Sequence, residues 1–286
     1  MNEISAPSHS QVWVTGATGL IGSLVVQMSA RFAAGWIVCP RTRRQFDLAD
    51  PRSVAECFHQ EHPSAIIHCG AVSRPVDCER DPGLARRINV DGTRVLAELA
   101  TDIPLIFLSS DMVFDGRKGG YSETDAVNPM SVYAETKIEG EQLILKNPRH
   151  TVVRTSLNYG ASPTGNRSFN EEMMTAWQAG KTLSFFTDEF RCPIPAVVTA
   201  RVLWELLNQR AKGLYHVAGS ERLSRWDIAE CVVRRHPGII APRMAVSRIA
   251  YQGPPRPADT SLNCSRVQSL LPFPLPSFSE WMANDS

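Results

Sequence analysis

The chain has no excess of charge: 30 Lys and Arg stand against 29 Asp and Glu in 286 residues, a formal net charge of +1. No global pull towards nucleic acid or an anionic membrane follows, so partners must be sought at sites. Long apolar runs are also missing, and the first residues, MNEISAPSHSQ, are polar without an apolar signal core. Neither a membrane span nor a secretory leader is expected, and a cytoplasmic location is. The seven cysteines, at 39, 57, 69, 78, 192, 231 and 264, are odd in number and contain no Cys-x-x-Cys. Reduced thiols are the expected state, and no zinc site is: His59 and His62 lie close together, but no Cys or carboxylate spacing completes a ligand set. No internal repeat is visible.

What is present alternates. Short apolar runs at Val12-Trp13-Val14, Trp36 to Cys39, Ala65 to His68, Leu105 to Leu108 and Thr151 to Arg154 are each followed by a helical pattern. Five such alternations predict an α/β fold, a doubly wound parallel sheet of the Rossmann type, with ligands at the carboxyl ends of its strands. Residues 1–156 are read as a dinucleotide-binding domain, to which 190–218 return. A small, partly discontinuous lobe is expected from 157–189 and 219–286, irregular around Gly253-Pro254-Pro255-Arg256-Pro257 and Pro272 to Pro276.

The first strand breaks into Thr15-Gly16-Ala17-Thr18-Gly19-Leu20-Ile21-Gly22 and then a helix. Glycines spaced G-x-x-G-x-x-G between strand and helix allow a tight turn, a pyrophosphate close to the backbone, and close packing of helix on strand. The spacing departs from G-x-G-x-x-G, and position rather than pattern carries the reading. After the second strand come Arg41, Arg43 and Arg44, where an acid would grip an adenosine ribose. Arginines there favour the 2′-phosphate of NADP(H), with NAD(H) the second choice and a solvated basic loop the bland alternative. His68 ends the third strand and reads as a satisfied histidine at the edge of the sheet. Asn89 and Gly92 are poor helix formers within Leu84 to Ala100, which points to a packing or hydrogen-bonding role for Asn89.

The fourth strand runs into Ser109-Ser110-Asp111-Met112-Val113 and, after a loop, a helix carrying Tyr133 and Lys137. Residues four apart share a helical face, so the ammonium is placed near the phenol. A nearby cation favours phenolate and lowers a pKa of about 10 towards the working range, making Tyr133 a proton donor to a carbonyl held by Ser110. With five tyrosines and five lysines in the chain, the pair alone is weak evidence.

Seven segments in order, GATGLIG, FDLADPRSV, INVDGT, LSSDMVFDG, NPMSVYAETKIEGE, VVRTSLNYG and RPADTSLNCSRV, are far more specific. With them the chain resembles the extended short-chain dehydrogenase/reductase family, and within it the dTDP-4-dehydrorhamnose reductase group. The resemblance implies hydride transfer from NADPH to the C4 ketone of a nucleotide-linked sugar, with Ser110, Tyr133 and Lys137 catalytic. It places Gly16, Thr18, Gly19, Leu20, Ile21, Gly22, Asp47, Leu48, Cys69, Gly70, Ala71, Asn89 and Ser109 at the cofactor, with Tyr133 and Lys137. Ser73, Asp111, Val113, Arg154, Asn158, Arg191 and Arg256 would meet the sugar nucleotide, and a homodimer is allowed.

Three departures bear on the substrate: Met112 where the group usually has Tyr, His68-Cys69-Gly70 for Asn-Ala-Ala, and Ile194-Pro195 for a Pro-Thr pair. Two rivals stand beside the reductase. One is an NADP-binding regulatory subunit like that of methionine adenosyltransferase, which resembles the same group. The other is a nucleotide-sugar epimerase or dehydratase, disfavoured because Ser110-Asp111-Met112 lacks the Glu of an Asp-Glu pair.

Overall fold

The computed structural model describes residues 10–33, 35–253 and 255–284; the polar lead before Ser10, and Pro254 in the proline-rich loop, lie outside them. Six strands form one parallel sheet: β1 (Ser10–Thr15), β2 (Trp36–Arg41), β3 (Ala65–His68), β4 (Leu105–Ser110), β5 (Thr151–Thr155) and β6 (Gly213–Val217). Their order is β6-β5-β4-β3-β1-β2, so the winding reverses at β1, which pairs with both β2 and β3. A crevice opens above the strand ends at such a reversal. This is the expected α/β class.

The two faces follow from the period of the strands. Val12, Val14, Ile67, Ile106 and Val153 face α1 (Leu20–Gln27) and the helix Ala196–Asn208. Trp13, Ile66, Leu105, Phe107 and Val152 face the other way, against Val54, Leu96 and Ile144. Those three lie on α2 (Pro51–Glu61), α3 (Gly92–Leu99) and α4 (Val132–Leu145). Strands buried on both faces have to be apolar throughout, which is why they read as runs.

Helix α2 starts at Pro51 because Asp50 caps it, accepting from Arg52 N at 3.1 Å and Ser53 N at 3.4 Å, with Pro51 in the first turn. The expected helix Leu84 to Ala100 is present, running without interruption from Pro82 to Leu99 but widened by a π-turn. Short helices Pro75–Arg80 and Pro82–Arg86 lead into a π-turn, Arg87–Asp91, before α3 begins. The wide turn carries Asn89, which donates to Val72 O at 3.0 Å and Thr136 Oγ1 at 3.0 Å and accepts from Val72 N at 2.8 Å. Gly92 lies so close to the backbone of Leu48 that a Cβ would stand 2.6 Å from its carbonyl oxygen.

The stretch after β6 is more regular than expected. A helix, Arg225–Arg235, opens with a capping box in which Ser224 and Asp227 bond each other's backbone N–H. Its Ile228, Ala229 and Val232 pack with Met173 and Trp177 of the helix Phe169–Gln178 and with Phe278. Strands Leu183–Phe186 and Arg243–Val246 pair in parallel beside this core. Among the described residues, no helix is long and apolar enough to cross a membrane.

Candidate active site

A cleft of about 1300 Å³ runs over the carboxyl ends of the strands. Its floor at one end is the turn between β1 and α1. Gly16 has φ +66°, and a Cβ there would sit 2.7 Å from Gly70 N. A Cβ on Gly22 would stand 2.3 Å from Gly16 O. The turn is thus closed on itself, with Gly19 capping α1 and the helix N-terminus facing the cleft. This cradle fits a dinucleotide pyrophosphate.

Thr18, Leu20, Ile21, Asp47, Leu48, Cys69, Gly70 and Ala71 also line the cleft, as expected of cofactor contacts. The three arginines divide. Arg41 lines the cleft but is paired with Glu61 and stands 5.0 Å over the Trp13 ring. Arg43 lines the cleft, mostly exposed, 3.8 Å from Asp47. Arg44 is exposed and is not part of the lining. Asn89 is not part of it either; its amide is spent on the backbone of Val72 and on Thr136.

Below the cradle, His68 is buried on a central strand, not at the sheet's edge. Thr93 gives its proton to Asn89 O at 2.7 Å, so His68 Nε2 must donate to Thr93 Oγ1 at 3.0 Å. Nδ1 then accepts from Thr15 Oγ1 at 2.6 Å, and that oxygen accepts Gly70 N–H at 3.1 Å. Burial, and then the charge of Lys137, push the imidazole down to about 3. His68 is a satisfied neutral histidine supporting the turn.

At mid-cleft, Ser110, Tyr133 and Lys137 are together in the lining. Ser131 caps α4 through Ala134 N at 3.2 Å, and Glu79 accepts from Val132 N at 2.8 Å; these fix the first turn on which Tyr133 sits. The Lys137 ammonium lies 4.3 Å from the Phe107 ring centroid. Its pKa is pushed down to about 8, by burial above all, with Glu141 opposing. The expected lowering of the Tyr133 phenol is reversed. Burial pushes it up to about 12, opposed first by a hydrogen bond with Ser110.

Four residues expected at the cleft need separate treatment. Arg154 is buried away from the cleft lining, held bidentately by Glu141. Ser109, expected at the cofactor, reaches the cleft but its hydroxyl donates to the same Glu141 Oε1 at 2.5 Å. Val113 is fully buried among Phe114, Tyr121 and Ile138. Asp111 is fully buried too and grips Arg191, whose own edge does reach the cleft. Arginine and aspartate side chains pair readily inside a protein, and charge in a motif does not say whether it faces a ligand.

Ser73, Asn158 and Arg256 line the cleft as expected. Arg256 is held bidentately by Glu189, at 2.6 and 3.0 Å. Glu189 and Arg225 are not singled out by the sequence, yet both line this end of the cleft, 4.0 Å apart. Burial lowers Arg225 to about 10, Glu189 opposing. Its signal is the capping box Ser224-Arg225-Trp226-Asp227, which starts a helix at the cleft wall. Among the described residues, no group of three or more His, Cys, Asp or Glu is arranged to hold a metal ion.

Comparison with known proteins places this architecture. Methionine adenosyltransferase 2 subunit beta of Bos taurus is 30% identical over 94% of this chain and 84% of that protein. A dTDP-4-dehydrorhamnose reductase of Sinorhizobium fredii is 30% identical over 92% of this chain and 93% of that one. A crystal structure of dTDP-4-dehydrorhamnose reductase from Bacillus anthracis str. Ames, in complex with NADP, shares the fold with a TM-score of 0.86 at 22% identity, over 96% and 97% of the two chains. The family described as RmlD substrate binding domain matches residues 10–284, and the chain belongs to it.

Proposed function

We propose that the chain is an NADP(H)-dependent reductase of a nucleotide-linked 4-keto sugar, with NAD(H) as the alternative cofactor. The observation that carries this reading is a single cleft that joins the Gly16–Gly22 cradle to Ser110, Tyr133 and Lys137. The reductase relative of Sinorhizobium fredii supports the substrate class. Arg43, exposed and weakly engaged, is the arginine suited to a 2′-phosphate.

A nicotinamide bound here would supply the hydride to the carbonyl carbon. The residues do the rest. Tyr133, neutral at pH 7 and held so more firmly by burial, carries the proton that the carbonyl oxygen takes as C=O becomes CH–OH. The Ser110 hydroxyl donates to the same oxygen while charge develops on it. Lys137, charged below about pH 8, offsets the phenolate left behind. Arg225, 4.0 Å from Glu189 and 5.8 Å over the Phe169 ring, offers positive charge to the anionic part of a nucleotide sugar.

Addition of a dTDP-4-keto-6-deoxy sugar to protein and NADPH, with the nicotinamide absorbance followed, tests this reading. Consumption of NADPH supports it. A second reading is favoured by the bovine relative: a subunit that binds NADP within a methionine adenosyltransferase complex. Stable co-elution with a methionine adenosyltransferase on gel filtration, without NADPH consumption, would favour that one. Dehydration is disfavoured further, since Asp111 is locked into an ion pair away from the cleft lining.

A further inference from the structure

The late segment Ala258 to Asn263 has no part in the chemistry described so far, yet it reaches the centre of the site. Phe190 N donates to Ala258 O at 2.7 Å and Thr260 N to Phe190 O at 3.1 Å, so this segment lies alongside Phe190–Arg191. The pairing delivers Arg191 and Thr260 to one carboxylate. Asp111 Oδ1 accepts from Arg191 Nη2 at 2.5 Å and Ser110 Oγ at 3.2 Å. Its Oδ2 accepts from Arg191 Nε at 2.7 Å, Ser156 Oγ at 2.7 Å and Thr260 Oγ1 at 3.2 Å.

Five donors thus approach a group with about four lone-pair sites. Ser110 is the one with another partner in reach, since its hydroxyl also bonds the Tyr133 phenol. Its oxygen is held from the other side by Met112 N–H at 3.2 Å. We propose that Asp111, saturated by Arg191, Ser156 and Thr260, is a positioning residue that keeps the Ser110 proton free to turn towards the carbonyl oxygen protonated by Tyr133. The proposal rests on the reductase reading for the identity of that carbonyl. Its electrostatics do not.

The charged and titratable groups acting on Tyr133 are Asp111 beyond β4, Cys78 of the helix Pro75–Arg80 and Arg191 of the strand Phe190–Arg191, while Lys137 follows one turn along its own helix. After burial and the Ser110 bond, Asp111 acts to raise the phenol, and Arg191 to lower it. Removing a donor from Asp111 therefore strengthens its hold on Ser110 and raises Tyr133 further.

The test uses the full chain labelled with 3-fluorotyrosine, whose phenol ionises at lower pH than tyrosine. The fluorine resonance of Tyr133 is assigned by its loss in Tyr133→Phe. Asp111→Asn is expected to move the Tyr133 titration down by about one pH unit, and Thr260→Val to move it up by about half a unit. Thr260→Val is also expected to lower kcat about tenfold with KM unchanged, and Thr260→Ser to restore both readings. If Asp111→Asn does not fold, Thr260→Val decides. A Tyr133 titration that stays in place in folded Asp111→Asn or Thr260→Val overturns the proposal, as does wild-type kcat in Thr260→Val. Were no keto sugar reduced by the parent chain, the reductase reading would fail while the fluorine titrations still decided the role of Asp111.

Discussion

Arg154 and Glu141 form a buried bidentate ion pair at the far end of α4, Nη2 to Oε2 at 2.6 Å and Nε to Oε1 at 2.9 Å, with side chains 6% and 4% exposed. Glu141 follows Lys137 by one helical turn, as Lys137 follows Tyr133, so one face of α4 runs from the cleft into this buried pair. Arg154→Met strands the carboxylate and is expected to cost about 3–5 kcal/mol of stability in urea unfolding. The double variant Glu141→Leu, Arg154→Met should recover most of that loss. Unchanged stability with a raised KM for a keto sugar would instead return Arg154 to the substrate.

Gly22→Ala places a methyl 2.3 Å from the Gly16 carbonyl oxygen, and the turn must open to admit it. A strain of about 1–3 kcal/mol corresponds to a loss of roughly tenfold or more in NADPH affinity, read by quenching of tryptophan fluorescence. A Cβ added at Gly238 would meet nothing within 4 Å, so Gly238→Ala is the control that should bind normally. Equal binding by both variants would remove the turn from the cofactor site.

His68 titrates at about 3 in the folded chain, through burial first and Lys137 second, against about 6.5 in an unfolded one. Below pH 6.5 the unfolded chain takes up a proton that the folded chain refuses until about pH 3. Stability is therefore undiminished by this group above pH 6.5 and falls as pH drops through the window, by about 2–3 kcal/mol at pH 4.5. His68→Asn should flatten that part of the urea-stability profile. A profile as steep as the parent's would mean that other groups set the acid limit.

Arg43→Ala should weaken NADPH binding roughly tenfold while leaving NADH binding nearly unchanged, because only the 2′-phosphate loses a charged partner. Arg44→Ala, outside the cleft lining, should alter neither. Affinities measured in parallel for both nucleotides decide between the two arginines. The opposite ranking would assign the phosphate to Arg44.

The sheet is legible in the sequence because strands buried on both faces carry unbroken apolar runs, and Leu105 to Leu108 or Ala65 to Ile67 stand out for that reason. The glycine turn and the Tyr133–Lys137 pair are legible because their chemistry is local in sequence. What escapes depends on distant partners. Nothing near Arg154 announces that Glu141 will meet it, and nothing near Asp111 foretells Arg191 and Thr260, 80 and 149 positions away. The direction of the Tyr133 shift escapes for the same reason: burial is set by Cys78, Ala85 and their neighbours from another helix region, and it outweighs the lowering by Ser110 and Arg191. The helix Arg225–Arg235 is readable from its Ser224–Asp227 capping box, but the prolines and polar residues around it suggest a loop.

The most direct measurement is a comparison of the parent chain with Tyr133→Phe in a single turnover with NADPH and a dTDP-4-keto-6-deoxy sugar. NADPH binding should be equal in the two by tryptophan quenching, and reduction slower in the variant by about 10²–10⁴-fold, the loss of one positioned proton donor. Reduction at the parent's rate by Tyr133→Phe would contradict the account at its centre.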